Sequence, residues 1–67
     1  MRVCLNGKEM DVAAGTSLSD FLKTMKIDGQ RVVVEYNGRI LAASRLWEAV
    51  CLTENDRVEL LSFVGGG

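Results

Sequence analysis

The chain has 67 residues, 48% of them apolar, with 8 Lys and Arg against 9 Asp and Glu and a net charge of −1. A chain this short forms one domain that buries only about 60% of the surface its unfolded state exposes, so it cannot also enclose a catalytic cavity of roughly several hundred Å³. Near-neutral charge excludes the basic footprint of a nucleic-acid binder, and the absence of His removes imidazole bases and metal ligands.

Residues 1–6 alternate, with Met1, Val3 and Leu5 on one face and Arg2, Cys4 and Asn6 on the other. That is the period of a half-buried strand. Asn6-Gly7 follows, and both residues tolerate the positive φ of a type I′ hairpin turn. Residues 8–12 return as a second strand. Leu18, Phe21, Leu22 and Met25 then fall at i, i+3, i+4 and i+7, one stripe of a helix predicted over 17–27. Ser17 is its N-cap, Asp20 completes a capping-box pattern, and Asp28-Gly29 is the expected stop. Residues 31–36 form a β-branched strand, Asn37-Gly38 repeats the turn signal, and Ile40 and Leu41 continue in a short strand. Residues 44–49 are predicted as a short helix with Leu46 and Trp47 turned inward. Glu54-Asn55-Asp56 is a turn. The last strand runs from Arg57 to Phe63, with Val58 and Leu60 on one face and Leu61 and Phe63 on the other.

This order predicts an α+β domain over residues 1–63: a small mixed sheet, one main helix packed on one face, and a short second helix. With the first and last strands parallel at the centre, it is the β-grasp or ubiquitin-like arrangement. Leu61 and Phe63 are out of phase with the buried set, so they are expected on the uncovered face as a partner-docking surface. Cys4 and Cys51 form no CxxC pair and are too few for a zinc site or a secreted disulfide framework. Both are read as packing residues, since a reactive thiol needs an electropositive neighbourhood. No apolar run approaches a membrane span, and residues 1–6 reach a turn signal too soon for a signal peptide. The expected setting is cytoplasmic, with no membrane and no metal.

Residues 64–67, Val64-Gly65-Gly66-Gly67, form a predicted flexible tail. Glycines without Cβ atoms can thread a narrow channel and place the Gly67 carboxylate in another protein's active site. A carboxylate becomes an electrophile only when its oxygen is made a leaving group, most simply as an acyl adenylate. The chain has no phosphate-binding loop of the G-x-x-x-x-G-K-[ST] type, so activation falls to a separate enzyme.

The ordered set of Asn6-Gly7, Gly15-Thr16-Ser17-Leu18, Val32 to Gly38, Trp47, Asp56 to Leu60 and Phe63-Val64-Gly65-Gly66-Gly67 resembles the ThiS family of ubiquitin-like sulfur carriers in thiamin biosynthesis. The run Leu41 to Trp47 departs from the family in lacking its usual Pro. The resemblance implies a carrier without enzymatic activity or bound cofactor. Gly67 would be adenylated by a ThiF-like enzyme using ATP with Mg, with Val64, Gly65 and Gly66 as the threading segment. Sulfur from a persulfide donor would make a terminal thiocarboxylate, and a ThiG-like thiazole synthase would accept it. The free chain would be a monomer. Two alternatives stay open: the small subunit of molybdopterin synthase, with the same chemistry and another acceptor, and a ubiquitin-like modifier or interaction module.

Overall fold

The computed structural model describes residues 1–29 and 31–62. They form β1 (Arg2–Leu5), β2 (Lys8–Asp11), α1 (Leu18–Thr24), β3 (Val32–Tyr36), β4 (Arg39–Leu41), α2 (Ser44–Glu48) and β5 (Arg57–Ser62). The β1–β2 and β3–β4 hairpins close as expected. Asn6 and Gly7 take φ of +50° and +83°, and Asn37 and Gly38 take +48° and +86°, the paired left-handed conformations of a type I′ turn.

One five-stranded sheet has the order β2-β1-β5-β3-β4. β1 and β5 run parallel at its centre, with Cys4 opposite Arg57 and Leu5 opposite Val58. The hairpins are antiparallel, and β3 pairs antiparallel with β5 from Val32↔Ser62 to Tyr36↔Val58. This is the β-grasp fold. Its core gathers one face of the sheet (Val3, Leu5, Val34, Val58) against Leu18, Phe21 and Leu22 of α1, with Trp47 and Leu52 closing the side.

α1 starts where its cap residue allows. The Ser17 hydroxyl accepts the Asp20 N–H at 3.0 Å, satisfying one of the four orphan donors of the first turn. The helix ends earlier than Asp28-Gly29. Lys26 takes φ +58°, its N–H donates to the Lys23 carbonyl, and the Ile27 N–H donates to the Leu22 carbonyl. These two bonds form a Schellman motif with a lysine in the usual glycine position and Ile27 as the apolar residue that follows. Gly29 serves packing instead. A Cβ there would lie 2.7 Å from Trp47 Cζ3, so the indole lies against bare backbone.

Two further expectations are corrected. Leu46 is 40% exposed, whereas Trp47 is buried. A five-residue helix turns only one side to the core, and successive residues sit about 100° apart. Trp47 takes that side and donates its indole N–H to the Leu41 carbonyl at 3.3 Å. Cys51 is exposed and not packed. It lies in an extended segment between half-buried Val50 and buried Leu52, where alternation turns it outward. Cys4, on the sheet face away from the helix, is half-buried and free.

The single buried charged residue among those described is Asp56, 6% exposed. Its carboxylate accepts from the Tyr36 hydroxyl at 2.6 Å, the Asn37 amide at 3.1 Å, the Thr53 N–H at 2.8 Å and the Thr53 hydroxyl at 3.0 Å. Burial alone would raise its pKa, but these four donors favour the anion and hold it below the ordinary 3.8. Tyr36 moves the other way, pushed up to about 12 by burial and by its bond to Asp56.

The two shifts set a pH window. The Asp56 contribution is present above its ordinary pKa and lost as pH falls through the depressed folded value. The Tyr36 contribution is complete below 10.0 and lost as pH rises toward about 12. Urea midpoints measured across pH should fall on both the acid and the alkaline side. Tyr36→Phe should flatten the alkaline limb, and Asp56→Ala should cost at least about 2 kcal/mol at neutral pH. An unchanged alkaline limb in Tyr36→Phe would refute the assignment.

Candidate functional site: the open sheet face and the outgoing end of β5

With α1 and α2 on one side, no described element covers the other face of the sheet. Alternation along β5 buries Val58 and half-buries Leu60, while Arg57, Glu59 and Leu61 are exposed. Leu61 is 57% exposed and stands opposite Val33. Glu59 stands opposite Glu35. On the far side of Glu35 is Ile40 of β4, 62% exposed. The outcome is an apolar patch of Val33, Leu61 and Ile40 around two carboxylates. A shallow depression of about 460 Å³ runs beside it, lined by Glu35, Asn37, Gly38, Arg57 and Glu59.

The expected docking residue Leu61 is thus on the uncovered face. Phe63, Val64, Gly65, Gly66 and Gly67 lie outside the described residues. Glu35 and Ile40 were not singled out in sequence. Their signal is weak, because the strand phase places them on the open face only once the β3–β4 and β3–β5 registers are known.

Glu35 and Glu59 are directly opposed like charges, which weakens a sheet. Among the described residues neither is in an ion pair; the ion pairs there are those of Arg2 with Glu9 and Asp11, and of Arg31 with Asp28. Among the described residues the face offers no assembled nucleophile and base, and no group of three or more Cys, Asp or Glu could hold a metal.

The ThiS family model matches residues 3–67. The chain belongs to the ThiS family. It is 36% identical over 64 residues to the sulfur carrier protein ThiS of Bacillus subtilis, covering 94% of this chain and 96% of that one. A solved thiamine biosynthesis protein (ThiS) from Geobacter metallireducens superimposes with a TM-score of 0.83 at 33% identity, each chain covered completely. The thiazole synthase of Magnetococcus marinus is 34% identical over all 67 residues. The chain spans 20% of the length of that protein and of the similar thiazole synthase of Paramagnetospirillum magneticum.

Removing one of the opposed charges should stabilise the domain. Glu59→Gln is expected to raise the unfolding free energy by a few tenths of a kcal/mol at low ionic strength, with the gain shrinking as salt screens the pair. Urea denaturation at two salt concentrations checks it. A destabilised Glu59→Gln would show that Glu59 has a stabilising partner on this face.

Proposed function

We propose that the chain is a sulfur carrier for thiazole formation, with its sulfur held at the Gly67 carboxyl. A ThiF-like enzyme transfers AMP from ATP to the Gly67 carboxylate and releases pyrophosphate. A persulfide then attacks the acyl carbon, AMP leaves, and cleavage of the resulting acyl disulfide by a thiol releases the thiocarboxylate. A ThiG-like thiazole synthase takes the sulfur. The thiocarboxylate is ionised near neutral pH, and its sulfur is a softer nucleophile than a carboxylate oxygen.

What supports this reading most is near end-to-end similarity to the Bacillus carrier, in a β-grasp domain whose central strand β5 leads into Phe63-Val64-Gly65-Gly66-Gly67. The chain itself supplies position and a carboxylate; ATP and Mg belong to the partner. The reading separates a β-grasp body, residues 1–63, from a tail, residues 64–67. It places the reaction in the cytoplasm, and no described helix is long and apolar enough to cross a membrane.

Deleting Gly67, or replacing Gly66 with Val, should abolish ATP–pyrophosphate exchange by the activating enzyme. Stability should change by no more than a few tenths of a kcal/mol, the scale of surface substitutions. Protein isolated from cells should carry the mass gain of one oxygen exchanged for sulfur on the C-terminal residue. Branched conjugates in its place would indicate a modifier, and sulfur transfer only to a molybdopterin precursor would indicate the other carrier class. Undiminished exchange after Gly67 deletion would falsify the carrier reading.

The docking surface has its own test. Leu61→Ala should weaken binding to the activating enzyme about tenfold, as for a central interface side chain, while leaving the melting temperature within a few degrees. Phe63→Ala should act in the same direction. Normal affinity with a large drop in melting temperature would move the docking surface elsewhere.

A further inference from the structure

The parallel pairing of β1 with β5 is short. Cys4 N–H donates to the Asp56 carbonyl at 2.8 Å, and Asn6 N–H to the Val58 carbonyl at 2.9 Å. β1 then leaves the sheet through the Asn6-Gly7 turn, but β5 continues to Ser62. On one side β5 stays paired with β3 as far as Val32↔Ser62. On the other, the next ladder donor is Leu60 N–H, which in an uninterrupted parallel ladder would meet the Asn6 main-chain carbonyl. The Asn6 side chain takes that donor in its place: Leu60 N–H donates to Asn6 Oδ1 at 2.8 Å. A side-chain amide thus fills the ladder position that the turn vacates, 54 residues away in sequence.

Asn6 therefore meets two demands. Its backbone must accept φ +50°, and its side chain must present an oxygen at short reach. Glycine meets only the first demand, and Asp meets both.

We propose that Asn6 is a positioning residue for the sulfur-bearing terminus: its hold on Leu60 N–H fixes the outgoing end of β5 and so the point from which residues 63–67 reach into an activating enzyme. This rests on the carrier reading above. Five extended residues span at most roughly 16–18 Å, and a misplacement of about 1 Å at a reacting centre can cost about 100-fold in rate. A loosened base for the tail lowers the effective concentration of the Gly67 carboxylate at the adenylation site. Leu61 stays paired with Val33 of β3 on the other edge of β5, so the docking contact is retained while the Asn6-side edge loosens. The loss therefore falls on kcat, with KM for the carrier unchanged.

The experiment compares wild type with Asn6→Gly and Asn6→Asp in two readouts. The first is amide hydrogen exchange at Leu60 in the free protein; the second is steady-state adenylation by the activating enzyme, assayed well below each variant's melting transition. Asn6→Gly should speed Leu60 exchange about tenfold or more and lower kcat about three- to tenfold at constant KM. Asn6→Asp should restore both. Should Asn6→Gly fail to fold, Asn6→Lys substitutes for it, since this chain already holds a lysine at φ +58° at position 26 and lysine has no acceptor. Faster exchange with unchanged kcat, or unchanged exchange, overturns the assignment and leaves Asn6 a turn residue only. Absence of adenylation in the wild type overturns the carrier reading, and with it this role, while the exchange data still report the bond itself.

Discussion

A buried carboxylate at the entrance to the central strand organises this domain. Asp56 precedes β5 and collects donors from three places: Thr53 in the preceding turn, Tyr36 at the end of β3 and Asn37 in the β3–β4 turn. An unpartnered charge in that position would be costly. With four donors the anion becomes the favoured form, and the loop, the second hairpin and the central strand are held in one relative placement. Asn37 adds a second tie, its side-chain oxygen accepting Arg57 N–H at 2.8 Å. The start of β5 is thus tied by side-chain hydrogen bonds to β3, the β3–β4 turn and the preceding loop.

From that point, strand alternation divides the labour of β5. Val58 enters the core and Leu61 faces away from it. Among the described residues only one face has helices to cover it, so the apolar residues in the other phase, Leu61 and Ile40, are exposed. The like-charged Glu35–Glu59 pair lies among them and weakens the sheet where it stands.

The relatives carry this domain in two settings. It matches nearly the whole of the Bacillus carrier and a fifth of two thiazole synthases. The small size of the domain is physically consistent with both. Among the described residues nine buried apolar side chains close its core, and the reacting group proposed for it, at Gly67, follows β5 in sequence. In the carrier reading proposed above, such a unit presents a chain end to other proteins, and the anchoring of β5 sets where that end begins.

Much of this was legible locally. Asn6-Gly7 and Asn37-Gly38 specify tight turns because only a few residues accept positive φ. Ser17 specifies a helix start, and the Leu18–Phe21–Leu22 stripe specifies a buried helix face, because capping and periodicity are properties of neighbours in sequence. The open-face position of Leu61 followed from alternation once a single large helix was counted. Other features came only with the tertiary structure. α1 ends at Thr24, and not at Asp28-Gly29, because the Schellman bonds close through Lys26 and Ile27, and Gly29 is needed bare beneath Trp47. Leu46 faces solvent because Trp47 takes the one buried side of α2. Asp56 looks like an ordinary turn carboxylate until Tyr36 and Asn37 arrive from 20 and 19 residues away. Asn6 reads as a turn residue until β5 arrives beside it. In each case the deciding partner is distant in sequence, and no local propensity records which backbone donor or aromatic ring the fold will bring into reach.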